Sequence, residues 1–340
     1  MTILVDGRVH AHQRITGVER YYHEITNALK KESFPMHVLQ PKRSGRLNRH
    51  LWEHVILPLK SRKYDLLFCP ANIAPYVRMT RTVTTIHSLA FMDQPESYSH
   101  SFLLYYNFLI SRVLRTSDHL ITVSEAEKDN ILKKFPACSG RITAIYPGVA
   151  SCFRSRAVAK KDGEHFLWVG SGHPLKNLKK TLDAFCLIKD RTKRTLVIAG
   201  LKWSDLQRPG LRDTIERIGR DRIKPVGSCS AIQMAELYGD ALLLIFPSLY
   251  ESFGFPAVEA MASGCPVIAS DIPALREVCA DAAVYADPKN AEGFADAILR
   301  LTEDAALHQH LKTAGLKRAE RFTWERAASE HVRVFEETMR

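Results

Sequence analysis

The sequence predicts an α/β protein built from two doubly wound parallel sheets, and three observations predict it. Short apolar runs alternate with longer amphipathic segments along the whole chain. A turn signal, Tyr146-Pro147-Gly148-Val149, and a polar, basic stretch over 151–164 interrupt that rhythm once, near the middle. The chain has 340 residues, longer than one ordinary core and suited to two domains.

Taken in order, the apolar runs 3–5, 65–69, 83–86, 120–123 and 142–145 predict strands of a first domain. Runs at 166–169, 196–199, 242–246 and 267–269 predict strands of a second. Helical patterns cover 17–31, 176–190, 259–263 and 291–302, and a charged amphipathic helix covers 323–340. The boundaries fall at 1–149 and 150–322, with the last helix packing back near the first domain. No short-period repeat or low-complexity tract interrupts the plan.

Apolar residues make up 46% of the chain and charged residues 25%, the balance of a water-soluble globular protein. The net charge is +11. Residues 1–150 carry 20 Lys and Arg against 12 Asp and Glu, whereas 151–340 carry 28 against 25. The basic excess thus lies in the first half and suits an anionic partner, a membrane face or a polyphosphate ligand. Zinc-finger spacing, helix-turn-helix signals and basic-aromatic platforms are missing, so nucleic acid is not an expected partner. Seven cysteines with no C-x-x-C pair suit small core side chains in a reducing compartment. The N-terminus runs straight into a strand and does not read as a signal peptide, and no apolar run reaches the ~20 residues of a membrane span. These features predict a cytoplasmic protein.

Ligands of open α/β sheets bind beyond the carboxyl ends of the strands, and the chemistry-bearing loops follow strands here. Ser248-Leu249-Tyr250-Glu251-Ser252-Phe253-Gly254-Phe255-Pro256-Ala257-Val258-Glu259 sets two carboxylates, Glu251 and Glu259, about a strand-to-helix turn. Glu259 is expected two helical turns beyond Glu251 on the same face. The turn offers amides and a positive helix end to a phosphate-bearing ligand. Gly170-Ser171-Gly172-His173-Pro174-Leu175-Lys176-Asn177 offers close backbone approach and a lysine to a phosphate. An ordinary loop with a solvated lysine is the plainer alternative, and Gly-Lys-Ser/Thr is missing. His87, at a strand end, can bond a ligand hydroxyl or shuttle a proton, or simply cap the strand. Gly17 lets a ligand approach the backbone before a helix, or is a plain loop glycine. Residues 102–110 are apolar nearly all round and end on Arg112 and Arg115. They fit the first domain's core better than a membrane surface shared with Lys42, Arg43, Arg46 and Arg49.

These residues resemble the retaining GT-B glycosyltransferases of glycosyltransferase family 4. The likeness runs over almost the whole chain. Besides the Glu251-x7-Glu259 motif it takes in Thr16-Gly17-Val18-Glu19-Arg20-Tyr21, Thr85-Ile86-His87, Ser117-Asp118-His119-Leu120-Ile121-Thr122-Val123-Ser124 and Lys176-Asn177-Leu178. Ala260-Met261-Ala262-Ser263-Gly264-Cys265-Pro266-Val267 and Phe322-Thr323-Trp324 complete it. The resemblance implies two Rossmann-like domains facing across a cleft, the acceptor on the first and a nucleotide sugar on the second. It implies that Glu259 binds the ribose hydroxyls, Glu251 contacts the transferred sugar and Lys176 neutralises the diphosphate. The Gly254 and Phe255 amides would hold the sugar or its phosphate, His87 would bond the donor sugar, and the Gly17 loop would close over the diphosphate. Ser171 belongs to the same donor-binding loop as Lys176.

The resemblance further implies a hexosyltransferase of polysaccharide or lipopolysaccharide synthesis, with mannose from GDP-mannose as the first expectation. The acceptor is a saccharide or a polyprenyl-linked sugar, at the inner face of an anionic membrane. No metal or other cofactor is expected, and no Asp-x-Asp motif occurs. The sequence departs from the family at Leu175, Ser88, Ser252 and Arg276. Leu175 stands where an arginine is usual, with Arg276 or Lys180 as candidate replacements. A GT-B sugar-nucleotide epimerase and a non-catalytic nucleotide-sugar binder are the alternatives.

Overall fold

A computed structural model describes residues 1–11, 17–41, 51–154 and 163–340. The chain divides into two compact units, Met1–Gly148 with Thr323–Arg340, and Val149–Phe322.

The first unit holds β1 (Ile3–Asp6), β2 (Met36–Leu39), β3 (Leu66–Cys69), β4 (Arg81–Ile86), β5 (His119–Thr122) and β6 (Ile142–Ala144), in the order β2-β1-β3-β4-β5-β6. Every pairing is parallel. The interior strands β1 and β3 are buried throughout, as a sheet covered on both faces requires. The labelled helices are α1 (Gly17–Lys31), α2 (His100–Thr116) and α3 (Glu125–Lys134). Glu19 lies in the first turn of α1 and Lys30 and Lys31 in its last, each matching the helix dipole. The Ser124 hydroxyl caps α3 by accepting the Glu127 amide at 3.0 Å. Leu109, Ile110, Val113 and Leu114 of α2 join Leu67, Ile86, Leu120 and Ile131 in the core. The C-terminal helix (Trp324–Met339) packs in this unit too, its Phe335 ring 5.0 Å from Phe68.

The second unit holds β7 (His165–Val169), β8 (Thr195–Ala199), β9 (Ile223–Gly227), β10 (Ala241–Phe246), β11 (Val267–Ser270) and β12 (Ala283–Ala286), in the order β12-β11-β10-β7-β8-β9, again parallel. Its labelled helices are α4 (Leu178–Ile188), α5 (Leu211–Ile218), α6 (Ala231–Asp240), α7 (Phe255–Ala262), α8 (Pro273–Cys279), α9 (Ala291–Glu303) and α10 (Ala305–Ala319). Phe166, Trp168, Phe185, Ile198, Leu243, Phe294 and Ile298 form the centre of its core.

The sequence reading did not place β2, β9 and β12, and the structure adds each at a sheet edge. Edge strands have one strand neighbour only and are less fully buried: β2 is half-exposed, and β9 contains Lys224 and Pro225. Helix α2 divides its apolar surface. In its C-terminal half Leu109, Ile110, Val113 and Leu114 are buried, while Leu104 and Phe108 are 63% and 61% exposed. Of the polar link at 151–164, Ser151–Arg154 is helical and 155–162 lie outside the described residues, as do Lys42, Arg43, Arg46 and Arg49. All seven cysteines are free thiols.

Candidate functional site

In the second unit the strand order reverses between β7 and β10, the point at which open α/β sheets take their ligands. The loops after these two strands carry Ser171 and Lys176, and Glu251, Gly254 and Phe255. Lys176 ends a single 3-10 turn, Pro174–Lys176, and Asn177 follows it with φ +50°. The Asn177 amide group donates to the Pro247 carbonyl at 3.0 Å and to the Pro288 carbonyl at 2.8 Å. The Leu249 amide donates to the Leu175 carbonyl at 2.8 Å, and Trp168 Nε1 to the Lys176 carbonyl at 3.3 Å. These bonds tie one loop to the other and bring Lys176 Nζ to 2.5 Å from Glu251 Oε1. Nζ also lies 5.8 Å from the centre of the Phe246 ring, which shields one side of the ammonium. The two side chains are 27% and 10% exposed. A half-open ammonium paired with one carboxylate can turn to a more highly charged anion such as a diphosphate. Ser171 is exposed on the same loop.

Gly254 caps the start of α7 with φ +95°, and a Cβ there would stand 2.6 Å from Leu275 Cδ2, so any other residue is strained there. The Ala257 and Val258 amides both donate to the Gly254 carbonyl, and Pro256 has no N–H. Residues 251–254 are not helical, so Glu259 lies one turn into α7 rather than two turns beyond Glu251. Glu259 is buried, and the Tyr238 hydroxyl of α6 donates to its Oε2 at 3.1 Å.

In the first unit His87 follows β4 and is buried. Its backbone N–H donates to Asn72 Oδ1 at 2.6 Å, and its Nε2 lies 2.8 Å from the Pro70 carbonyl. A carbonyl only accepts, so Nε2 carries the hydrogen and Nδ1 keeps the lone pair. Burial pushes the imidazole pKa down to about 4, against smaller opposing effects of the Pro70 carbonyl and Glu19. His87 is therefore neutral near pH 7 and accepts at Nδ1. That suits it to receive a hydrogen bond from a ligand hydroxyl and unsuits it to give a proton away. Gly17 is exposed and opens α1, whereas Arg14, Ile15 and Thr16 lie outside the described residues. At the ends of β1 and β3 a buried guanidinium, Arg8, lies 3.3 Å from Glu53 and 3.6 Å from Asp6, whose carboxyl pKa is raised by burial.

Sequence reasoning did not single out Asn177, Tyr238 or Asn72 as supports of Lys176, Glu259 and His87. Asn177 was visible inside the Lys-Asn-Leu motif, whereas Tyr238 and Asn72 act across 21 and 15 residues and leave no local pattern. Leu175 is buried, so its side chain is a core contact. Arg276 pairs with Asp271 through two hydrogen bonds of 2.6 and 2.7 Å and lies over the Tyr285 ring at 3.9 Å, which commits it to the start of α8. Among the described residues no three His, Cys, Asp or Glu side chains gather as a metal site, and no helix is long and apolar enough to cross a membrane.

Residues 153–318 match the family described as Glycosyl transferases group 1, and residues 55–151 match Glycosyltransferase Family 4. The chain is 27% identical over 285 residues to O-antigen chain mannosyltransferase B of Escherichia coli, a match covering 80% of this chain and 74% of that protein. It is 30% identical over 220 residues to O-antigen chain mannosyltransferase RfbU of Salmonella typhimurium, covering 64% and 60%. The chain thus spans about three fifths to three quarters of these relatives' lengths. Among solved structures, Anabaena HepE in complex with UDP-glucose superposes with a TM-score of 0.77 at 18% identity, over 99% of this chain and 100% of that one. WaaG, a glycosyltransferase involved in lipopolysaccharide biosynthesis, superposes with a TM-score of 0.72 at 14% identity, over 98% and 99%. At such identities the structures show a shared fold.

Proposed function

The chain belongs to the GT-B glycosyltransferases, with a Family 4 segment followed by a group 1 segment, and from that premise we propose that it is a retaining hexosyltransferase of surface-polysaccharide synthesis. The observation that carries this reading is the Lys176–Glu251 pair at the strand-order reversal, beside the Gly254 turn. Breaking a glycosidic bond to a nucleoside diphosphate puts negative charge on the leaving group and positive charge on the sugar. Lys176 meets the first, helped by the N-terminal end of α7 at Gly254 and Phe255, and Glu251 meets the sugar. Glu259 takes the ribose hydroxyls, Ser171 lines the phosphate loop, and His87 Nδ1 accepts from a hydroxyl of the donor sugar. The second unit holds the donor and the first the acceptor, a saccharide or polyprenyl-linked sugar. No metal is needed, because side chains and a helix end supply the positive charge.

Mannose from GDP-mannose is the favoured donor, supported by the two relatives named as O-antigen mannosyltransferases. A panel of GDP-mannose, UDP-glucose and other sugar nucleotides tests it by release of nucleoside diphosphate, with and without EDTA. GDP-mannose is expected to turn over fastest, at a rate EDTA does not change, giving a product with the donor's anomeric configuration. Absence of turnover and of binding with every donor rejects the reading, and an inverted product rejects retention.

Peripheral membrane attachment belongs to the same proposal. Leu104 and Phe108 stand one turn apart on α2, and Tyr76 packs 6.0 Å from Phe108 while its carbonyl accepts from Arg112 Nη2 at 3.0 Å. An exposed apolar pair beside a cation suits an anionic lipid face. Vesicles containing phosphatidylglycerol should sediment the chain and lose it on Leu104→Ser with Phe108→Ser; equal sedimentation of both rejects this face.

A further inference from the structure

The C-terminal helix brings His331, fully buried, into the interior of the first unit. Its Nδ1 lies 2.6 Å from the Ala327 carbonyl and its Nε2 lies 2.6 Å from the Tyr21 hydroxyl of α1. The carbonyl only accepts, so Nδ1 carries the hydrogen and Nε2 accepts a hydrogen bond from the Tyr21 hydroxyl. With its hydrogen directed to His331, the Tyr21 oxygen accepts from Thr85 Oγ1 at 3.3 Å, two residues before His87. The Tyr21 ring stands edge-on to the His87 imidazole, centres 4.6 Å apart at 86°. Three anchors therefore fix His87: Asn72 at its backbone, Pro70 at Nε2 and Tyr21 against the ring.

A core needs no such polar pair. Apolar side chains of the same shape would fill the space without desolvating an imidazole and a phenol. What the pair adds is a phenol ring held on two sides of its oxygen, which cannot slide along its neighbour. That neighbour is the one imidazole assigned to the donor sugar.

We propose that His331 is a positioning residue for His87, acting through Tyr21. The proposal rests on the reading of His87 as a contact of the donor sugar. A tie that only fastened the C-terminal helix to α1 would affect stability and leave His87 unchanged.

The test uses the full chain with ¹⁵N-labelled histidine, in wild-type, His331→Phe, His331→Gln and Tyr21→Phe forms. NMR reads the tautomer and line width of His87, and steady-state transfer reads kcat and donor KM. The wild type should show one sharp Nε2–H tautomer for His87. His331→Phe and Tyr21→Phe should broaden or shift those signals and lower kcat about tenfold, with donor KM within about twofold, as displacement of a positioned group predicts. His331→Gln retains an acceptor for Tyr21 and should recover part of the loss. Unchanged His87 signals and unchanged kcat in folded variants overturn the proposal. Tyr21→Phe removes one oxygen and decides the matter should His331→Phe not fold. If the wild type transfers no sugar, the proposed function fails, while the His87 spectra still decide whether His331 positions it.

Discussion

The two units end their strands in opposite chemistry. After β7 and β10 of the second unit a lysine and a glutamate stand 2.5 Å apart, charged and partly open to solvent. After β4 of the first unit a histidine stands neutral and buried, each of its hydrogens already directed to an oxygen. On the proposed function, charge is kept where a charged leaving group would be met, and a neutral acceptor is kept where hydroxyl groups would be bound. A cation would serve poorly at His87, because it could not accept from a hydroxyl. A neutral imidazole would serve poorly at Lys176, because it could not offset a diphosphate.

The sharpest way to break this contrast is Lys176→Ala. It should lower kcat by about 10²–10³, the cost of losing one donor to a developing anion, whereas His87→Asn should cost less because a neutral polar group remains. Equal losses at both positions, measured by nucleoside diphosphate release, would erase the distinction. Next comes Gly254→Val, which places a branched side chain at φ +95° against Leu275. Strain and overpacking together should cost about 2–5 kcal/mol, read as a lowered denaturation midpoint of the second unit.

Acid should then separate the units. His87 and His331 titrate near 4 in the folded chain, chiefly through burial, against about 6.5 when unfolded. The unfolded chain binds more protons between those values. Their stabilising contribution is therefore complete above pH 6.5 and is lost as pH falls through 4, at about 1.4 kcal/mol per pH unit for each ring. Hydrogen exchange from pH 7 to 4.5 should show first-unit amides losing protection before second-unit amides. The smallest effect is expected from Arg276→Ala. Arg276 is an exposed partner of Asp271, so donor binding by calorimetry and the melting temperature should both match wild type.

Much of this contrast could be read before any coordinates. Interior strands such as β3 and β10 are unbroken apolar runs because both faces are covered, and the sequence shows them plainly. The edge strands β2, β9 and β12 are short and only partly buried and carry His37, Pro225 and Tyr285, and pattern alone does not separate them from loops. The charged residues of the second unit were legible for a similar reason, since Lys176, Glu251, Gly254 and Glu259 sit in compact local motifs. The buried partners in the first unit were not. Tyr21 meets His331 across 310 residues, and Asn72 meets His87 across 15, so only the folded chain reveals those partners. The expectation that residues 102–110 lie in the core is met by α2 only in part, because its periodic apolar surface has two stripes and the sequence does not say which one is covered.

The first unit is discontinuous: it takes its opening residues from Met1–Gly148 and its closing helix from Thr323–Arg340. On the ribosome the whole of Val149–Phe322 is therefore translated before the nascent first unit receives the segment that covers Phe68 and Tyr21. The second unit can complete its own sheet while the first still waits, which reverses the usual order in which domains mature during synthesis.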